Sequence, residues 1–82
     1  MSIWVKADSC QVYMHISGAV CSEHIDFLEY NLLNRLHYGY RRIIINMQNV
    51  SMLDSEGAKM LSYVRDQVSR KGGELIIEGC NF

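Results

Sequence analysis

Asp54-Ser55-Glu56-Gly57 is the short cluster whose residue types and spacing could carry regulatory chemistry. Asp54 and Ser55 both suit the cap of a helix, and Glu56 suits its first turn. Ala58, Leu61, Val64 or Arg65, and Val68 then recur at helical spacing. The cluster is therefore predicted to open a helix from about Ser55 to Arg70. Such an end offers unpaired N–H groups and partial positive charge, a natural seat for a phosphate. Phosphorylation of Ser55 would add about −1.5 to −2 charges. The helix end favours that charge and Asp54 and Glu56 oppose it, so the fold is expected to change little. What changes is the surface, which would then repel acidic groups on a partner. The plain alternative is a helix cap and nothing more.

Other residues tempt a chemical reading. Cys10, His15, Cys21 and His24 include a Cys21-x-x-His24 pair. Structural zinc sites normally show two close ligand pairs, and these residues fall in different elements, so no metal and no cofactor is expected. Tyr30, His37, Tyr38 and Tyr40 lie among Arg35, Arg41 and Arg42. Aromatics with arginine can stack on single-stranded nucleic acid. The net charge is −1, however, and cations suit a helix C-terminus. The run is read as a solvated helix end with core tyrosines, and no nucleic acid is expected. "KGGELI" precedes a strand and not a helix, so it is no phosphate loop. No nucleophile–base–orienter set is visible and no histidine lies near Ser55 in sequence. No catalytic residue is assigned, and the chain is read as a non-enzyme.

The elements that must position the cluster follow from patterning. With 82 residues, a hydrophobic fraction of 49% and no linker, the chain is expected to form one domain, 1–82. Its three cysteines are widely spaced, proline is absent, and no apolar run or leader suggests a membrane span or secretion. A cytoplasmic protein is expected. Ile3 to Lys6 and Gln11 to Ile16 read as a hairpin. Ser22 is the expected N-cap of a helix carrying Ile25, Leu28, Leu32 and Leu36, with Phe27 and Leu33 widening the stripe and Gly39 ending it. Ile43-Ile44-Ile45 reads as a strand covered on both faces. "QNVSMLDS" reads as the connection to the second helix, Lys71-Gly72-Gly73 as its end, and "ELIIEG" as a last strand. The order β-β-α-β-α-β implies right-handed crossovers. The fold class is α/β: a mainly parallel sheet of about four strands with an antiparallel edge strand and helices packed on it. Functional loops in such sheets lie beyond the carboxyl ends of the strands, where "NVSMLDSEG" falls.

The stretch "RRIIINMQNVSMLDSEGAKMLSYVRDQVSRKGGELIIEG" resembles the core of a STAS domain, the fold of the anti-sigma-factor antagonists. The matching positions are Val50, Leu53, Asp54, Ser55, Gly57, Leu61, Gly72, Gly73, Leu75 and Ile77. They keep the family's order and spacing over about half the chain. The resemblance implies a regulatory module that binds a kinase-type anti-sigma factor and is released when the kinase phosphorylates the serine after the motif's aspartate. That position is Ser55. The implied partner-binding set is Met52, Asp54, Ser55, Glu56 and Gly57.

The chain departs from the family pattern in three places. Glu56 stands where the family often has Ser, Thr or Ala, and a second carboxylate there could mimic a permanent charge. Gly18 is followed by Ala19, Val20 and Cys21 in place of the family's acidic edge. The printed sequence ends soon after the last strand, where family members usually continue with a further helix. One face of the sheet is therefore expected to lie bare and to serve in dimerisation or docking. These departures keep a second reading open: a non-switching scaffold or accessory subunit docked on a larger partner such as a transporter ATPase. A third, a nucleotide-binding module at Ser55 to Ala58, is opposed by the acidic neighbours.

Overall fold

The computed structural model describes residues 1–79. Its elements run β1 (Ser2–Ala7), β2 (Gln11–Val20), α1 (Ser22–His37), β3 (Arg42–Leu53), α2 (Ser55–Arg70) and β4 (Glu74–Glu78). One four-stranded sheet has the order β1-β2-β3-β4, with β1 antiparallel to β2 and the remaining pairs parallel. The expected fold class is the one observed. Cys80, named above among the cysteines, lies outside the described residues.

Alternation within the strands decides which face is covered. Val12, Met14 and Ile16 of β2, Ile43, Ile45 and Met47 of β3, and Leu75 of β4 are buried. They form one core with Leu28, Leu32 and Leu36 of α1 and Met60, Leu61, Val64 and Val68 of α2. Both helices thus pack on the same face, as same-handed crossovers moving along one sheet in one direction require. The expectation that the isoleucine run is covered on both faces is corrected here. Ile43 and Ile45 point into the core, whereas Ile44 is half-buried on the other face. Three β-branched residues in a row reflect strand propensity, not double burial.

The strand ends also differ from expectation. β2 continues to Val20 and β3 to Leu53, so most of "QNVSMLDS" is strand. The β2–β3 ladder shifts register twice, between His15 and Ser17 and between Gly18 and Ala19. At each shift β3 spends one residue more than β2. Buried positions in β3 accordingly move from Ile43, Ile45 and Met47 to Val50, and Leu53 again packs against the core.

In α1 the N-cap is Cys21, not Ser22, because β2 runs one residue up to it. Phe27 is 56% exposed and lies off the stripe. At 100° per residue it sits on the flank opposite Leu32 and Leu36, beside Tyr30. The tyrosines expected in the core are not there: Tyr30 and Tyr38 are exposed and Tyr40 is half-buried. Helical spacing alone gave them no place facing the sheet. Ala58 likewise is exposed, and α2 instead buries Gly57, Met60, Leu61, Val64 and Val68. Gly39 and Gly72, both at positive φ, follow the ends of the two helices.

Opposite the helices, the sheet presents Trp4 and Lys6 of β1, Tyr13 and His15 of β2, Ile44 and Asn46 of β3, and Glu74, Ile76 and Glu78 of β4. Asn46 Nδ2 donates to the Tyr13 hydroxyl at 2.8 Å, and Trp4 meets Tyr13 edge-on at 6.3 Å.

Candidate functional site

β2 and β3 are parallel, so their carboxyl ends lie side by side, with Val20 opposite Leu53. The first turns of α1 and α2 therefore share one edge of the sheet. At the start of α2, Asp54 is the N-cap, with extended backbone (φ −82°, ψ 175°). Its Oδ1 accepts the Gly57 N–H at 2.9 Å, and its carbonyl accepts the Ala58 N–H at 3.1 Å. The cap is Asp54, which leaves Ser55 as the first helical residue with an exposed side chain. Because Asp54 already takes the third orphan donor of the helix, the N–H groups of Ser55 and Glu56 are the ones the helix itself leaves without a partner.

Glu56 is exposed and reaches Lys59 at 3.7 Å along the helix surface. Met52 is 48% exposed just before the cap. Gly57 is buried. A Cβ there would lie 2.5 Å from Leu53 Cδ1 and 3.3 Å from its Cγ. The absent side chain is the space into which the end of β3 folds against the first turn of α2. Of the five residues singled out by sequence, Met52, Ser55 and Glu56 form an outward surface, and Asp54 and Gly57 build the turn that presents them. Leu53 was not singled out for a role in the turn; its signal is its place four residues before a glycine at a helix start.

The start of α1 completes this edge. Cys21, Glu23 and His24 bring their ligating atoms within 4.8 Å of one another. The Cys21 N–H donates to His24 Nδ1 at 3.4 Å, and His24 Nε2 lies 3.6 Å from Glu23. Sequence spacing had paired Cys21 with His24 and missed Glu23. The three donors come from one turn at the positive end of a helix, which opposes a cation. Cys10 stands at the other end of β2, and His15 Nε2 is 3.2 Å from Asn49 Nδ2 on the bare face. At the far edge of the sheet the Arg41 guanidinium donates to the Lys71 carbonyl and so joins two loops. No helix among the described residues is long and apolar enough to cross a membrane.

Solved structures share this architecture. The anti-sigma factor antagonist SpoIIAA in its unphosphorylated form superposes with a TM-score of 0.82 at 15% identity, over 93% of this chain and 71% of that one. The phosphorylated form of SpoIIAA, described as a Bacillus cell fate determinant, gives 0.80 at 16% identity, over 92% of this chain and 69% of that one. The antisigma-factor antagonist STAS domain from Rhodobacter sphaeroides gives 0.75 at 12%, over 95% and 85%. A structure of Mglu also matches, with a TM-score of 0.82 at 18% identity over 95% of this chain, which spans only 19% of the length of Mglu. At these identities the likeness is one of fold. Among curated proteins none matches the chain. The STAS domain profile matches residues 4–82. With that match, the parallel β2-β3-β4 sheet and the Asp54-capped turn in place, the chain belongs to the STAS domain family.

Proposed function

We propose that this chain is a regulatory protein–protein interaction module that works as an anti-sigma-factor antagonist does, binding a kinase-type anti-sigma factor and being released on phosphorylation of Ser55. The carrying observation is the exposed Ser55 at the first helical position of α2, with the cap supplied by its neighbour Asp54. A serine that capped its own helix would lose that hydrogen bond on modification. Here the hydroxyl is spared that task, and the turn can keep its shape when a phosphate is added. The Ser55 and Glu56 N–H groups can receive the phosphate, and the helix dipole favours its charge by about 0.3–1 kcal/mol. Asp54 opposes it. The effect is then on the surface formed by Met52, Ser55 and Glu56, where a dianion in a contact costs desolvation and repulsion. Gly57 belongs to the set by letting Leu53 hold that turn in place.

The test is labelling with ATP by the cognate kinase. Wild type is expected to take up one phosphate and Ser55→Ala none. Equal labelling of both would remove Ser55 from the mechanism. A second reading, a non-switching scaffold or accessory subunit on a larger partner such as a transporter ATPase, draws support from Glu56. Its carboxylate places a negative charge beside Ser55 without any modification, paired among the described residues with the exposed Lys59. On that reading the kinase labels neither protein.

A further inference from the structure

Lys59 stands one helical turn after Ser55 and is the one cationic side chain between Asn46 and Val64. In the unmodified chain its ammonium lies 3.7 Å from the Glu56 carboxylate. That distance exceeds a hydrogen bond, and the two side chains are 76% and 65% exposed, so the pair is loose. The helix sets Lys59 about 40° round its axis from Ser55 and about 60° from Glu56. Residues four apart are neighbours on a helix surface, and an anion on the N-terminal side of a lysine is the favoured order. Lys59 therefore reaches the Ser55 position at least as readily as it reaches Glu56.

Phosphorylation changes which anion holds it. The γ-phosphoryl group of ATP passes to Ser55 Oγ, ADP leaves, and the hydroxyl proton is released. The new group carries about twice the charge of a carboxylate and three acceptor oxygens. One oxygen can meet the Ser55 and Glu56 N–H groups while another meets the ammonium. The other charged side chains at the starts of α1 and α2 are Glu23, Asp26, Asp54 and Glu56, all acidic, and His24 Nε2 lies 3.6 Å from Glu23. Lys59 is thus the side chain placed to answer the added charge.

We propose that Lys59 is the phosphate-holding residue of this site: once Ser55 is phosphorylated, the ammonium leaves Glu56 for the phosphate, and the freed Glu56 carboxylate joins the altered surface. Glu56 then serves the switch. It is covered by Lys59 while Ser55 is unmodified and uncovered once Ser55 is modified, so a partner meets two changes of charge at one turn. This inference rests on Ser55 as the phosphorylated residue and adds the exchange of ion partners to it.

The test places phosphoserine at position 55 during translation and so needs no kinase. The ATP labelling described above judges the kinase reading separately, and either result can fail while the other stands. Phosphorus NMR follows the second ionisation of the phosphate, which falls at about pH 6 in an exposed phosphoserine. A neighbouring ammonium favours the dianion. The midpoint with Lys59 should therefore lie about 0.2–0.4 pH units below that of Lys59→Gln, and Lys59→Arg should restore it. Glu56→Gln separates the two anions. A lysine that has moved to the phosphate shifts the midpoint equally with Glu56 present or replaced. A lysine that stays on Glu56 shifts it at least twofold more in the Glu56→Gln background. That second result, or equal midpoints with Lys59 and with Lys59→Gln, would overturn the proposal.

Discussion

Gly57→Ala offers the most direct test of how the Ser55 turn is built. In an ordinary helix interior, alanine in place of glycine stabilises by about 0.8–1.0 kcal/mol. Gly57 is helical and its φ is not positive, so the same gain is available here. Against it stands the new methyl, 2.5 Å from Leu53 Cδ1. Contact at that distance is repulsive, and something must give. If Leu53 rotates off its rotamer, the strain is about 0.5–1.5 kcal/mol. If it stays and the first turn of α2 shifts, overpacking costs about 1–3 kcal/mol. The net change in the wild-type background is then between a gain of about 0.5 and a loss of about 2 kcal/mol. In a Leu53→Ala background the obstacle is gone, and Gly57→Ala should stabilise by about 1 kcal/mol. The double-mutant cycle over Leu53 and Gly57 should therefore yield a coupling of about 0.5–3 kcal/mol. Thermal melts followed by circular dichroism resolve this, since 1 kcal/mol moves the midpoint of a domain this size by about 4–8 °C. A coupling below about 0.5 kcal/mol, with Gly57→Ala equally stabilising in both backgrounds, would refute the idea that the glycine makes room for Leu53.

Three further outcomes are expected. Leu32→Ala removes a fully buried side chain and should cost about 2–5 kcal/mol, whereas Phe27→Ala, at 56% exposure, should stay within about 0.5 kcal/mol; denaturant midpoints compare them. Asp8 accepts the Cys10 and Gln11 N–H groups at 2.9 Å, and these bonds hold its carboxyl below the ordinary aspartate value. A depressed folded value means that the turn's stabilisation is present above the unfolded value and is lost as pH falls through the folded one. Carboxyl NMR should place the Asp8 midpoint below 3.8, and a midpoint at or above it would contradict the turn geometry. Ser55→Asp should weaken binding of a kinase-type partner at least tenfold while Ser55→Ala binds normally; calorimetry showing equal affinities would favour the scaffold reading.

How far the sequence reveals this structure depends on the residue. The order of elements is legible because Leu28, Leu32 and Leu36 recur at a helical period and Val12, Met14 and Ile16 at a strand period. The site is legible for the same reason: Asp54 and Ser55 stand where a strand pattern gives way to a helix pattern. The strand ends are not, because Ser17-Gly18 and Gln48-Asn49 have the composition of turns, yet parallel pairing holds them in a bulged ladder. The direction of Ile44 is not legible either. A β-branched residue is equally at home on either face, and only the count of helices on each side decides whether it is covered. Tyr30 lies mid-helix on the flank away from Leu28, Leu32 and Leu36, so the helical period itself argues against a core place, whereas Tyr38 and Tyr40 follow the helix and carry no periodic signal.

The two register shifts in the β2–β3 ladder have a consequence for what the chain can tolerate. A strand side chain has two orientations, so every extra residue reverses the orientation of all that follow it. One shift alone would send Leu53 to the bare face and turn the Asp54 cap with it. The second restores the parity, and it does so just before the turn. Deleting any single residue between Gln48 and Met52 is thus expected to invert the presentation of Ser55 although it leaves the motif intact, while removing two residues, one for each shift, would preserve it. Spacing from the isoleucine strand to the serine behaves as an even-or-odd count, and it is this count, beyond the identity of the residues, that keeps the hydroxyl facing outward.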